Sequence, residues 1–450
     1  MLRIPIVNVN ITLKEINRLA IPALISGVSE PILSITDTAV VGNIDIHSTE
    51  SLAAVGIVGT FISMLVWVLG QTRSAISAIV SQYLGADKID EVKNLPAQAI
   101  FIITSLSIII ILTTYPFAGP IFKLYNASDL ILNYSIDYYR IRVFGFPFAL
   151  FTIAVFGTFR GLQNTFYPMV IALTGTLTNI VLDFALVYGI AGFINPMYIE
   201  GAAWASVIAQ VVMAGMAVYF LIKKTPIPLR LKFPFNKEIK SFILMILNLF
   251  VRTLALNVTL YYASAFSTSY GKEYIAAYTI AINLWFLGAF IIDGYSSAGN
   301  ILSGRLYGAK DYKNLIALSN RLIIYGLIIG AIMAVIGLLT YKPVGQIFSN
   351  DPAVLKEFNE VFWIVCAMQP LCALAFIFDG IYKGLGKMRH LRNLLLFATF
   401  LVFLPALFAL DAQGLKLHAI FISMTLWIFV RGFPLIIKFR KMFIPLAQKQ

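Results

Sequence analysis

The apolar stretch Leu19–Ile44 carries two acids, Glu30 and Asp37, at a depth where a membrane-spanning helix normally carries none. The stretch exceeds the ~20 apolar residues that a helix needs to cross a bilayer. The acids are seven residues apart and therefore share one helix face. A charged group at the bilayer centre costs about 2.5–3.5 kcal/mol, so such residues face a partner or a watery cavity. Pro22 and Pro31 interrupt the stretch, which is tolerated where a broken helix lines a cavity.

The composition predicts an integral membrane protein with many spans. Of the 450 residues, 59% are hydrophobic and 12% are charged, whereas soluble proteins carry about 25% charged residues. The net charge of +13 lies mostly in short loops, which disfavours a nucleic acid as a partner. Cys366 and Cys372 are six apart in one apolar segment, a spacing that predicts free buried thiols.

Hydropathy predicts an all-α fold of twelve transmembrane helices. Loop charges set their orientation. The loops on the side of the two termini hold 24 Lys and Arg, the opposite loops hold 7, and Arg73, Arg252 and Arg431 fall inside spans. We therefore expect both termini in the cytoplasm. The predicted spans are 17–41, 51–81, 95–118, 130–157, 165–190, 199–222, 240–264, 274–301, 315–340, 356–381, 391–410 and 416–438.

The two halves of the chain match at a constant offset of 223 residues. The matches include Gly85-Ala86 with Gly308-Ala309, Pro147 with Pro370, and Gly157 with Gly380. Six spans separate equivalent points, so the halves form a parallel repeat related by an axis along the membrane normal. The predicted domains are an N-lobe (1–222), a basic, proline-rich cytoplasmic linker (223–236) and a C-lobe (237–450).

The charges inside the spans do not follow this duplication. Asp37 corresponds to Leu260, and Asp379 corresponds to Phe156. The duplication therefore predicts common geometry with a different chemistry in each lobe. The other unmatched charges are Glu30, Arg73, Asp183, Arg252 and Asp293.

Each intramembrane charge has a structural and a functional interpretation. Asp37 could form a buried ion pair with Arg73 or act as an ion carrier. Asn179 and Asp183 are four apart on one face of span five, where they could bind a proton or cation or only link two helices.

The C-lobe charges and Glu30 carry the same two interpretations. Arg252 and Asp293 could neutralise each other or line a cavity together with Asp379. Glu30, near the middle of a proline-broken helix, could satisfy freed backbone groups instead.

Three segments resemble the multidrug and toxic compound extrusion (MATE) family. They are Pro31–Asp45 (PILSITDTAVVGNID), Ser51–Gly56 (SLAAVG) and Ser81–Ala86 (SQYLGA). Arg73 in GQTRSAIS and the segment Ile291–Gly299 (IIDGYSSAG) are similar to the DNA-damage-inducible-F-like subgroup of the MOP flippase superfamily. Asn179–Gly189 and Gly201–Gln210 also fit, so the resemblance covers nearly the whole chain.

The resemblance implies two six-helix lobes in a V and alternating access. It also implies export of small amphiphilic organic cations, driven by inward H⁺ or Na⁺, from a multi-pass protein of the plasma membrane. The subgroup's cation site maps onto Asp37, Asn179 and Asp183, where either ion could bind. Asn300 stands where the subgroup often has an acid, which weakens the case for a C-lobe ion site. We expect a monomer in contact with lipids, without a cofactor or resident metal.

Two alternatives remain at this stage. A lipid-linked oligosaccharide or lipid flippase of the same superfamily would share the lobes but need more cavity cations for phosphate. A membrane enzyme is disfavoured because the sequence has no nucleophile elbow, no metal-ligand spacing and no histidine inside a span.

Overall fold

The computed structural model describes residues 11–44, 47–190 and 193–450, apart from the side chains of Glu30, Pro31, Ser34 and Ile35. Within these residues the chain is helical and contains no β-strand. The helices are α1 (Leu13–Gly42), α2 (Ser48–Leu69), α3 (Thr72–Gly85), α4 (Leu95–Thr114), α5 (Ala118–Lys123), α6 (Asp129–Arg142), α7 (Phe146–Gly161), α8 (Phe166–Val187), α9 (Tyr198–Lys224), α10 (Ile239–Ser269), α11 (Lys272–Gly308), α12 (Tyr312–Phe348), α13 (Pro352–Ala367), α14 (Gln369–Gly384), α15 (Met388–Phe397), α16 (Leu404–Asp411) and α17 (Lys416–Gln448).

These helices, alone or joined end to end, form segments that are long and apolar enough to cross a bilayer. In the described residues, ten helical segments meet this condition, some of them built from two consecutive helices, such as Ser48–Gly85 from α2 and α3. An eleventh candidate is the pair α13 and α14, which is bent by 48°. The 30-residue helix α1 coincides with the first predicted span. The prediction of an all-helical membrane fold is confirmed.

The helix boundaries repeat at the offset of 223 residues. Asp129–Gly161 and Pro352–Gly384 begin and end at equivalent positions, and both contain a break near the middle. Phe166–Val187 and Met388–Asp411 agree within one residue at each end. The duplication read from the sequence is therefore a duplication of structure.

Paired glycines explain why the duplicated positions tolerate no side chain. A Cβ atom at Gly157 would lie 2.7 Å from the carbonyl oxygen of Arg73, and one at Gly380 would lie 2.1 Å from that of Ser296. Arg73 and Ser296 are themselves equivalent in the repeat. Each glycine lets two helix backbones approach closely, as small residues do in membrane bundles.

The chain divides into two compact units. The first contains Ile25–Tyr83 and Lys88–Ile246, and the second contains Leu84–Asp87, Leu247–Gln450 and α1 up to Leu24. The units do not end where the predicted lobes end, because α1 and α10 are each divided. Their division points, after Leu24 and after Ile246, are almost equivalent in the repeat.

Aromatic side chains fill the core of each unit. In the first unit Phe61, Phe122 and Tyr139 pack edge to face, with ring centroids 5.3–6.1 Å apart. In the second unit Phe439 and Phe443 lie 4.9 Å apart, and the side chain of Trp427 is fully buried. Edge-to-face and tilted contacts are the favoured geometries of aromatic pairs.

The predicted linker is docked on the first unit. The buried amide of Gln98 donates to the carbonyl of Lys232 at 2.7 Å and accepts from the backbone N–H of Asn236 at 2.8 Å. Nearby, the ammonium of Lys237 lies 2.7 Å from the carboxylate of Glu91. These bonds satisfy backbone groups that an irregular segment leaves open.

Candidate functional site

Helices α1, α8 and α9 bring the three predicted N-lobe residues together. Asp37 lies on α1, Asn179 and Asp183 lie on α8, and Ser206 of α9 completes the group. Asp37 is 6% exposed, Ser206 is 4% exposed, and Asn179 and Asp183 are fully buried. Asn179 and Asp183 lie on the same face of α8, because four residues are about one helical turn. That face is directed toward α9.

The amide of Asn179 stands between the two carboxylates. Its nitrogen donates to Oδ1 of Asp37 and to Oδ2 of Asp183, each at 3.2 Å, and its oxygen lies 3.2 Å from Oγ of Ser206. The hydrogen-bond network assigns this orientation, because the opposite one would point the amide oxygen at two carboxylate oxygens. The site is therefore a buried acid–amide–acid arrangement.

The hydroxyl of Ser206 has one proton but two neighbouring acceptors, so this network lacks one proton. Its Oγ lies 3.1 Å from Oδ2 of Asp37 and 3.2 Å from the amide oxygen of Asn179. A hydroxyl carries a single proton and can donate to one of these acceptors only. If Asp37 is protonated, it donates to Ser206 and Ser206 donates to Asn179, so every contact becomes a hydrogen bond. Oδ1 of Asp183 has no partner in the described residues.

Two further residues of this site lie on α6. The buried Tyr138 interacts electrostatically with both Asp37 and Asp183, and Arg142 interacts with Tyr138 and with Asp183. The cation near the acids is thus Arg142. No pattern in the sequence pointed to Arg142, which lies in the last turn of α6.

The predicted pairing of Arg73 with Asp37 is wrong for the described side chains. Arg73 forms no ion pair among them, and its Nε has no hydrogen-bond partner. Its backbone is held against Gly157, while its own helix α3 starts after a break that follows α2. The side chain of Glu30 lies outside the described residues.

In the second unit, Asp379 has three basic partners. Its carboxylate lies 2.5 Å from Arg252, 2.9 Å from Lys383 and 3.8 Å from Arg431. The predicted pairing of Arg252 with Asp293 is therefore wrong, because α14 places Asp379 closer and Asp293 of α11 is exposed. Lys383 is also part of this buried cluster. Asn300 is buried on α11.

A groove of about 420 Å³ lies beside the acid–amide–acid site. Phe184 and Tyr188 of α8 line one side, and the Tyr188 hydroxyl donates to the carbonyl of Val40 at 2.8 Å. Thr36, next to Asp37 in the chain, lines the other side. The groove thus joins aromatic faces to a few polar groups, as small-molecule sites commonly do. Ala39, Val40, Asn43 and Ile180 complete the lining.

The remaining chemistry is sparse. Cys366 and Cys372 are buried free thiols, as predicted, and the indole N–H of Trp285 donates to Sγ of Cys372 at 3.2 Å. Over the described side chains, no three His, Cys, Asp or Glu residues gather in a way that could hold a metal ion.

Known proteins match this chain in sequence, and a family model matches each half of the repeat. The MatE family model matches twice, at residues 22–185 and 245–408, which are again 223 positions apart. DNA damage-inducible protein F of Escherichia coli (strain K12) is 24% identical and is matched over 94% of this chain and 91% of its own length. A probable multidrug resistance protein NorM of Thermotoga maritima is 25% identical over 83% of this chain and 80% of its own length.

Solved structures agree with the family match. A crystal structure of MATE in the bent conformation superposes with a TM-score of 0.88 at 21% identity, over 97% of this chain and 96% of that one. The two family matches together cover most of the sequence. This chain therefore belongs to the MatE family and is a multi-pass membrane transporter, not an enzyme.

Proposed function

We propose that this protein is a multidrug exporter of the plasma membrane that couples the outward movement of amphiphilic organic cations to the entry of protons at Asp37. The family is one of transporters, and relatives carry names that refer to multidrug resistance and export. Asn179, Asp183 and Ser206 shape the site, and no cofactor takes part.

One observation carries this proposal: the hydrogen-bond network around Asp37 is one proton short. Two carboxylates share the amide of Asn179, and Ser206 has one proton for two acceptors. Two ionised carboxylates held this close in a buried site repel each other, and one added proton removes that cost. The site is therefore built to gain and lose a proton.

Proton binding and cargo binding then oppose each other. With both acids ionised, the site attracts a cationic cargo. A proton that arrives at Asp37 removes one charge, completes the hydrogen bonds and weakens the attraction, so the cargo leaves. Coupling requires that the proton bind the outward-open and inward-open forms with different affinities, because an ion shifts a conformational equilibrium only by that difference.

With the Asn179 amide in the orientation assigned from its hydrogen bonds, the arrangement favours H⁺ over Na⁺. Sodium would need several oxygen ligands converging between the carboxylates. The amide nitrogen of Asn179 occupies that position and donates to both acids, and an N–H group repels a metal cation. Rotation of the amide would expose its oxygen, but it would also break both bonds to the carboxylates.

The groove beside Asp37 suits the cargo. A cationic, partly aromatic molecule would contact the exposed rings of Phe184 and Tyr188, since aromatic faces attract organic cations. The nearby acids would supply the attraction that a proton later cancels.

Efflux from proteoliposomes tests this function. A fluorescent organic cation should move against its gradient when a proton gradient is imposed. A sodium gradient without a pH difference should leave transport at the background rate. Transport driven by sodium alone would keep the site but change the ion, and a lack of cation movement under either gradient would contradict the proposed export.

A further inference from the structure

The second unit contains a buried group with more positive than negative charge. Arg252 of α10, Lys383 of α14 and Arg431 of α17 surround the single carboxylate of Asp379. Side-chain exposure is 5–7% for Arg252, Asp379 and Arg431, and 14% for Lys383. We call these four residues the basic cluster.

The charge balance of the basic cluster is incomplete. Three cations face one anion, and the exposed Asp293 of α11, which acts electrostatically on Lys383, still leaves a surplus of one positive charge. Buried charges in membrane proteins are normally paired with each other or with ligands. The cluster therefore has room, in charge, for one monovalent anion.

Arg431 shows where that anion would bind. Its Nε and Nη1 have no hydrogen-bond partner among the described residues, and its Nη2 lies 3.8 Å from Asp379. The guanidinium stands over the rings of Phe376 at 4.9 Å and Trp427 at 5.2 Å. A guanidinium keeps its proton at any physiological pH, so Arg431 cannot relieve its burial by becoming neutral. Its free donors require an acceptor.

We propose that the basic cluster binds the carboxylate group of a small organic acid with an apolar body. A carboxylate is planar and accepts two parallel bonds from a guanidinium, which makes the pair both strong and specific. One carboxylate also cancels the surplus charge. The ring of Phe376, which is only partly buried, offers apolar surface to the rest of the molecule. This site lies in a different unit from Asp37 and does not depend on proton coupling there.

The test compares benzoate, which carries a carboxylate, with benzamide, its uncharged counterpart of similar shape. The full-length protein is placed in nanodiscs of phosphatidylcholine alone, and its thermal unfolding is followed with increasing benzoate or benzamide. Benzoate should raise the unfolding temperature in a saturable manner, and the uncharged benzamide should not. A third series adds phosphatidylglycerol, whose headgroup is an anionic phosphate.

Variants of α17 locate the binding. Arg431→Gln should weaken benzoate binding by about tenfold or more, the value expected for a lost charge-assisted hydrogen bond. Arg440→Gln removes an exposed charge from the same helix and should bind benzoate like the wild type. Arg431→Lys keeps the charge without the planar donor pair and should bind several-fold more weakly, which provides a second reading if Arg431→Gln does not fold.

Three results would overturn the proposal. The first is the absence of saturable protection of the wild-type protein by benzoate. The second is equal benzoate affinity in the wild type and in the Arg431 variants. The third is protection by phosphatidylglycerol and by no soluble carboxylate, because the anion would then be a lipid headgroup. A wild-type protein that binds benzoate but does not export cations would contradict only the proposed function.

Discussion

Oγ of Ser206 lies 3.1 Å from Oδ2 of Asp37, and this contact joins α9 to the acid of α1. Through the same hydroxyl, Ser206 reaches Asn179 on α8. Three helices of the first unit therefore meet at one shared proton position. The serine makes Asp37 part of a network instead of an isolated buried charge.

Ser206→Ala should slow proton-driven efflux about five- to tenfold, because it removes a hydrogen bond worth about 1–1.5 kcal/mol to the protonated state. The rate is measured in proteoliposomes over a range of internal pH, and the pH at half-maximal rate should move. Ser423→Ala is the matched control, since Ser423 is fully buried and its Oγ has no hydrogen-bond partner in the described part of the chain. An unchanged pH profile in Ser206→Ala would exclude the serine from coupling.

The sequence predicted the fold well because hydropathy and repeat length are local and periodic signals. Even the equivalence of Asp129–Gly161 and Pro352–Gly384 follows from the offset of 223. Asn179 and Asp183 were also accessible to sequence reasoning, since a spacing of four residues places both on one helix face.

The side chains that contact the buried charged residues could not be predicted from sequence spacing. Ser206 lies in a run of small residues without a distinctive pattern, and Arg142 sits at a helix end where a loop cation is expected. Which cation meets which acid depends on how helices pack around glycines such as Gly157 and Gly380. That packing placed Arg252 beside Asp379.

Asp379→Asn should destabilise the protein strongly, because it leaves three buried cations without their carboxylate. Removal of one partner from a buried ion group costs about 3–5 kcal/mol. Thermal unfolding in detergent measures the loss, and Asp293→Asn, at an exposed acid of the same unit, is the control. Wild-type stability of Asp379→Asn would show that the basic cluster does not need this acid.

Phe184→Ala should weaken the binding of aromatic cations without changing proton coupling. Phe184 is 55% exposed and lines the groove, so its loss removes cargo contacts but no core packing. The expected result is a several-fold higher KM with a similar maximal rate and pH profile. Val181→Ala alters a more exposed residue of α8 outside the groove lining and should have no effect. Equal KM values in the two variants would place the cargo elsewhere.

The docked linker gives a prediction about protease access. Gln98→Leu should release the segment that contains Lys232 and Asn236, so trypsin should cleave it faster. Glu91→Gln should have little effect, because Glu91 and Lys237 form an exposed pair. Fast cleavage in inside-out vesicles but not in intact spheroplasts is expected for a cytoplasmic linker, and cleavage from the outside would contradict the orientation predicted from the loop charges.

The ion pair between Glu91 and Lys237 has a predictable pH response. The hydrogen bond and charge of Lys237 lower the pKa of Glu91 below its usual range. A carboxylate with a lowered pKa stabilises the folded form above its unfolded pKa, and this contribution disappears as the pH falls through the folded value. Trypsin sensitivity of wild-type linker should therefore be constant near neutral pH. In Glu91→Gln, which lacks the titrating carboxyl group, trypsin sensitivity should show no pH dependence that arises from the pair with Lys237.

Asp37→Asn is the sharpest test of whether Asp37 carries the coupling proton. The amide imitates a permanently protonated acid, so the variant should fold and reach the membrane but lose efflux driven by an imposed pH gradient. Asp183→Asn should be impaired in the same direction, and Asp411→Asn, in the second unit, should stay near the wild-type rate. At equal incorporation into proteoliposomes, gradient-driven efflux by Asp37→Asn should be at background level, and efflux at the wild-type rate would exclude Asp37 as the proton carrier.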